Sequence, residues 1–201
     1  MRIETPQSVA IIGEGETEWF YFESLRIFER YRFKIAPDFP SHSDIDHLLK
    51  MVERYINEGY DYIICLIDMD RIKQIPAEWR KYNKHKGERK YKQVMFIETY
   101  PCTEYWFLLH FLPKLTTKEY QTYDELLPEL QKYMPGYEKT KTYFRKTNLY
   151  CYLKQHGSIE RAIENAEKLS LLKKENSESE VSFSEIYKVI QLLNELKPMK
   201  S

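Results

Sequence analysis

The chain has 201 residues, 15% of them aromatic, and Lys plus Arg equals Asp plus Glu at 31 each. That length suits one domain, or one domain with a substantial appendage, and the zero net charge means that any nucleic-acid surface has to come from local clustering. Cys65, Cys102 and Cys151 are widely spaced and form no CxxC pair, which excludes a zinc site or a disulfide framework and suits a reducing compartment. With no signal-peptide pattern and no apolar run of membrane-spanning length, the expectation is a soluble cytoplasmic protein without a membrane partner.

Residues 9–12 (VAII) predict a short buried strand. It stops at Gly13-Glu14-Gly15, and Glu16-Thr17-Glu18 leads into an aromatic helix with Tyr21, Leu25 and Phe28 on one face. A turn where a strand ends and a helix begins is the usual ligand position in an open α/β sheet. Phosphate-cradling loops use glycines with lysine or bare amides. Glu14, Glu16 and Glu18 would repel a bare phosphate, but they suit a divalent cation that in turn holds one. The plainer alternative makes Thr17 the helix cap and Glu18 an acid favoured by the helix dipole, and it leaves Glu14 unexplained.

Residues 33–36 predict a second strand, closed by Pro37. Ser43 and Asp46 form a capping-box-like pair for a helix carrying Ile45, Leu48, Leu49, Val52 and Ile56 on one face, with Gly59 just past its end. Residues 60–67 are the most strand-like run, apolar enough for a central strand covered on both faces, and they lead straight into Asp68-Met69-Asp70. Residues 71–92 are polar and basic, part helix and part loop. Residues 94–97 predict a fourth strand, and 105–111 an apolar helix. The alternation argues for an α/β fold with about four mostly parallel strands flanked by helices. Beyond Pro113 strand signals vanish, and helices are expected over 123–133, 142–154, 158–173 and 183–196. The division is an α/β region at 1–112 and an all-helical region at 113–201.

Extended residues two apart point to the same face, so Asp68 and Asp70 are expected to place two carboxylates together at the end of the third strand. Glu14 stands at the end of the first. If those strands are neighbours, Glu14, Asp68 and Asp70 converge, with Glu18 overlooking them. Such acids repel one another unless a cation or protons intervene, and their hard oxygens suit Mg²⁺ or Mn²⁺. A DxD alone is more often a solvated strand end; the glycine-flanked Glu14 at the end of an earlier strand reverses that preference.

The motifs Gly13-Glu14-Gly15-x-Thr17-Glu18 and Asp68-x-Asp70, on the first and third strands, resemble the Toprim domain of topoisomerases, primases and OLD-family nucleases. The further run PCTEYWFLLHF at 101–111 resembles the RloB-like proteins, Toprim-type proteins of restriction and abortive-infection loci, often encoded beside an ATPase. The resemblance covers about residues 8–112. It implies a metal-dependent nuclease acting on DNA or RNA in anti-phage defence, with Glu14, Asp68 and Asp70 as metal ligands or acid–base groups and Glu18 as a further ligand. The helical region has no Toprim counterpart.

Glu104 opens the helix after the fourth strand. It is a candidate for completing a second metal site, or an acid favouring the helix dipole. His110, about 120° further around that helix, is expected to be a hydrogen-bonded core histidine. Lys84, Lys86, Arg89 and Lys90, with Tyr82 and Tyr91, form a candidate phosphate-gripping run, or else a solvated loop. Lys139, Lys141, Arg145 and Lys146, with Tyr137 and Tyr143, form a second such patch. The rival to an enzyme is a non-catalytic metal-binding module that recruits an ATPase or nucleic acid.

Overall fold

The computed structural model describes residues 7–36, 44–114, 118–175 and 181–197. Four strands, β1 (Val9–Ile12), β2 (Lys34–Ala36), β3 (Tyr62–Asp68) and β4 (Val94–Tyr100), lie parallel. A fifth, β5 (Phe183–Ser184), pairs antiparallel with β4, so the sheet order is β2-β1-β3-β4-β5. The expected four strands are all present, and β1 and β3 are neighbours, with Ile12 opposite Cys65. Both are apolar and buried along their length because helices cover both faces of the sheet.

The crossover helices are α1 (Glu16–Glu29), α2 (Ile45–Asn57), α3 (Met69–Gln74) and α4 (Pro76–Gly87). On α1 the buried face holds Tyr21, Phe22 and Leu25. Phe28, expected to share it, is 48% exposed and leans on Tyr150 instead. In α2 the expected stripe is buried, except that Tyr55 replaces Ile56 on the inner face. Asp44 is the α2 cap, accepting the His47 N–H at 2.7 Å. The expected cap, Ser43, lies outside the described residues. Gly59 follows that helix at φ 78°, a backbone shape a side chain disfavours. Most of the basic stretch is helical, as α4 and a 3₁₀ turn at Arg89–Tyr91.

After the apolar α5 (Glu104–Leu109) come α6 (Tyr123–Tyr133), α7 (Lys141–Lys146), α8 (Leu149–His156), α9 (Ile159–Glu175) and α10 (Ile186–Glu195). The single helix expected over 142–154 is two. Asn148 breaks it by capping α8, accepting the Cys151 N–H at 3.1 Å. The last helix starts three residues later than expected because Phe183 and Ser184 are in the sheet. This region packs on the first: α8 lies against α1, where Tyr150 N–H donates to Ser24 Oγ at 3.0 Å. One hydrophobic core joins Ile11, Ile64 and Phe107 with Leu130, Phe144, Leu149 and Ala166.

Candidate active site at the carboxyl edge of the sheet

Parallel strands share one carboxyl edge, and β1, β3 and β4 each deliver an acid there or just beyond it. The β1–α1 turn is tight for a steric reason. A Cβ on Gly13 would lie 2.7 Å from Glu18 Cβ, so glycine lets α1 approach the strand end. Gly15 is the helix cap, and Glu18, at the third helical position, accepts its N–H at 2.7 Å. Thr17 is therefore not the cap. It is fully buried and donates through Oγ1 to Glu104 Oε1 at 3.0 Å.

Glu14 Oε1 accepts the Asp68 backbone N–H at 2.9 Å, tying the ends of β1 and β3 together. Asp68 and Asp70 are not two apart on one extended strand, because the chain turns helical at Met69. Asp68 caps α3, and its Oδ1 accepts from Thr103 N–H at 2.9 Å and from Thr103 Oγ1 at 3.1 Å. Asp70 lies in the first turn, where its Oδ1 accepts the Arg71 N–H at 2.6 Å. Its own N–H donates to the Pro101 carbonyl at 3.1 Å, locking α3 to the end of β4.

Glu104 is completely buried in the first turn of α5. It accepts from Thr17, from Tyr137 Oη at 2.9 Å and from Lys139 Nζ, which lies 3.2 Å from Oε1 and 3.3 Å from Oε2. Tyr137 and Lys139 belong to the segment between α6 and α7, so the helical region contributes directly to this edge.

The electrostatics follow from burial and crowding. Burial raises Glu14 to about pH 8, the Asp68 N–H pulls it back, and Glu18 pushes it up again. Asp68 is raised well above its ordinary value by burial and then by Glu18 and Glu14. Asp70 is raised too, chiefly by burial. For Glu104 burial is the largest influence and pushes upward, but Lys139 together with hydrogen bonds from Cys102, its own backbone N–H and Tyr137 holds the carboxylate below its usual range. Burial would lower the Lys139 ammonium, yet Glu104 and then Asp68 raise it.

The donor chemistry fits a divalent cation: hard carboxylate oxygens, short of positive charge, from Glu14, Glu18, Asp68, Asp70 and Glu104. Their placement is looser than a closed shell. Among the described residues no three His, Cys, Asp or Glu groups stand together as a ready-made metal cluster. Each acid named above instead turns an oxygen to a backbone N–H, a hydroxyl or Lys139.

The family model described as RloB-like protein matches residues 9–193, which takes in the acidic edge and almost all of the helical region. The chain belongs to the RloB-like family. Comparison with curated proteins finds no match, and comparison with solved structures finds none.

In this RloB-like chain the first basic run makes no ion pair with Glu14, Glu18, Asp68, Asp70 or Glu104 among the described residues, and its end leads to the amino side of the sheet. Gln93, just after it, accepts the Ile63 N–H at 3.4 Å at the amino end of β3, opposite the edge that carries Asp68. Lys90 pairs with Glu53 at 3.1 Å, and Lys86 pairs with buried Glu98. Lys84 and Arg89 are exposed, with no ion pair among the described residues. The second basic patch does meet the acidic edge, through Lys139 on Glu104 and Lys141 on Glu16 at 2.8 Å.

His110 is a core histidine, as its helical position suggests. Its Nδ1 lies 2.9 Å from the Trp106 carbonyl, and burial lowers it to about pH 4. Sequence reasoning missed the roles of Thr17 and Thr103, and it read Tyr137 and Lys139 only as part of a basic patch. Nothing in the spacing of residues 33 and 35 positions beyond Glu104 signals that they touch it.

Proposed function

We propose that this protein is a Mg²⁺- or Mn²⁺-dependent nuclease of Toprim type, cleaving phosphodiester bonds of DNA or RNA in anti-phage defence. The observation that carries the reading is the Glu14–Asp68 contact. It brings acids from two separate sequence motifs to adjacent strand ends, in surroundings that disfavour their charge. The resemblance of those motifs to the Toprim pattern, in a chain of the RloB-like family, supports the same reading.

Glu14, Glu18, Asp68 and Asp70 would hold the cation, with Glu104 at the margin of the cluster. A bound divalent ion supplies Lewis acidity for the attacking water and offsets charge on the phosphoryl oxygens. The chain's own part is positioning and proton transfer. Without metal, burial keeps Glu14 protonated up to about pH 8, so holding a cation would release that proton. Thr103 fixes Asp68 through two donors. Lys139, beside the acids, is placed to oppose charge building up on phosphate.

A non-catalytic module that binds metal and recruits an ATPase or nucleic acid is the second reading. It is favoured by the partners that the acids already hold, Thr103 on Asp68 and Lys139 on Glu104. The deciding experiment incubates wild type and an Asp68→Asn variant with single-stranded DNA, double-stranded DNA and RNA, with Mg²⁺ or Mn²⁺ and with chelator. Metal-dependent cleavage by wild type alone supports the enzyme. No cleavage of any substrate, with metal still bound, supports the module.

A further inference from the structure

The segment between α6 and α7 brings a buried tyrosine and a partly exposed lysine, two residues apart, to the same carboxylate. Tyr137 is fully buried, donates to Glu104, and has its carbonyl held by Gln131 Nε2 at 3.0 Å. Gly136, at φ 73°, provides the reversal that turns the chain inward there. Lys139 then leaves the surface with 41% of its side chain exposed, while its ammonium reaches both oxygens of Glu104 and lies 5.1 Å from the Tyr123 ring centroid.

This ammonium is paired with Glu104, and its charge also reaches Asp68 and Asp70. It opposes the upward shift of both aspartates and draws Glu104 downward. A lysine suits that duty because its charge sits on a flexible four-carbon stem and can be exchanged without repacking a core. It is also a single charge with donors only, whereas a divalent cation carries two and accepts lone pairs from several carboxylates.

We propose that Lys139 is the resident counter-cation of the acidic edge, and that a divalent cation entering there displaces it from Glu104 and frees it to grip the phosphate of the substrate. The inference rests on the metal-dependent reading above, and it adds a coupling: metal entry switches on a substrate contact. Tyr137 stays buried on Glu104 throughout, so only the Lys139 side chain moves. Without metal, Lys139 neutralises the acids and is withheld from nucleic acid. With metal, its charge is surplus in the cluster and faces the anion.

The test uses the full chain without cleavage as a readout. Calorimetric Mn²⁺ titrations compare wild type with Lys139→Met and Lys139→Arg. Removing the competing charge should tighten Mn²⁺ binding several-fold in Lys139→Met, while Lys139→Arg stays near wild type. Equal affinities in wild type and Lys139→Met overturn the counter-cation role and leave the metal site standing. No Mn²⁺ binding by any of the three overturns the metal-dependent reading itself, and this inference with it.

A second measurement needs no folded variant beyond the assignment. In wild type, the Lys139 ammonium should give a slowly exchanging side-chain ¹⁵N signal that Mg²⁺ abolishes, and persistence of that signal at saturating Mg²⁺ overturns the displacement. Binding of a fluorescein-labelled single-stranded oligonucleotide should rise on adding Ca²⁺ in wild type and not in Lys139→Met. An equal rise in both overturns the phosphate contact.

Discussion

Glu14 and Asp68, 54 residues apart in sequence, are joined by a 2.9 Å hydrogen bond from the Asp68 N–H to the Glu14 carboxylate. The bond holds an acid in a buried position that disfavours its charge. Its folded pKa of about 8 lies above its ordinary value of 4.5, so the folded protein binds this proton more tightly than the unfolded chain does. That contribution is complete below about pH 4.5 and is lost as pH rises through about 8. Metal-free wild type should therefore lose on the order of 5 kcal/mol between those limits from this group. Glu14→Gln, which cannot ionise, should flatten that part of the profile. Thermal melts of both proteins from pH 4.5 to 8.5 with chelator check this; parallel profiles would count against the shift.

Gly13 is needed for the approach of α1. The methyl of Gly13→Ala would meet Glu18 Cβ at 2.7 Å, closer than carbon atoms pack. Its relief requires α1 to move off the strand end, at a cost of about 1–3 kcal/mol. The expected result is a lowered denaturation midpoint together with weakened Mn²⁺ binding, since Glu18 moves with the helix. Gly87→Ala is the control. Nothing lies within 4 Å of a Cβ there, so stability should hold.

Asp68 and Asp70 are raised by burial, and Asp68 by Glu18 and Glu14 as well. Replacing both by Asn keeps shape, retains an oxygen to accept from Thr103, and removes two acids whose charged forms burial disfavours. Without metal the double variant should melt at the wild-type temperature or slightly above it. Cleavage should fall by about 10²–10³-fold or more, and the stabilisation on adding Mg²⁺ should shrink. An equal Mg²⁺ response in both proteins would remove the aspartates from the ligand set.

The two basic patches make opposite predictions. Lys86 and Lys173 both pair with Glu98 and outweigh the burial that would raise it, holding it near pH 2. Lys86→Ala should thus cost about 1 kcal/mol, discounted because the lysine is partly solvated, and leave cleavage unchanged. Lys84→Ala with Arg89→Ala should alter neither stability nor the salt dependence of nucleic-acid binding. Replacing Lys141, Arg145 and Lys146 by Ala should flatten the slope of log K against log salt by roughly one unit per lost contact. Binding titrations with labelled DNA and RNA at two salt concentrations separate the patches. A flattened slope in Lys84→Ala/Arg89→Ala would return the grip to the first run.

Sequence by itself determined the four parallel strands and which acids stand at their ends. The apolar runs at 9–12 and 62–67 are strands because helices cover both faces, and periodicity carries that information locally. Gly13 and Gly15 around Glu14, and Asp68 just beyond an apolar run, placed the acids at strand ends before any coordinates. Side-chain direction was less legible. Asp68-Met69-Asp70 reads as extended, but Met69 already begins α3, so the two carboxylates take different partners. Thr17 has the chemistry of a cap, yet the capping exchange runs between Gly15 and Glu18.

Only the tertiary structure decided what neutralises the edge. Lys139 reaches Glu104 from 35 residues away because Tyr137 is buried beneath it and Gly136 reverses the chain. The two-residue β5 gives too short a pattern to separate from the helix that follows, and it exists because Phe183 and Ser184 complete the edge of β4. Local periodicity records which face of an element is buried. It holds no record of which distant charge will meet a buried carboxylate, because that depends on packing between elements rather than on spacing within one.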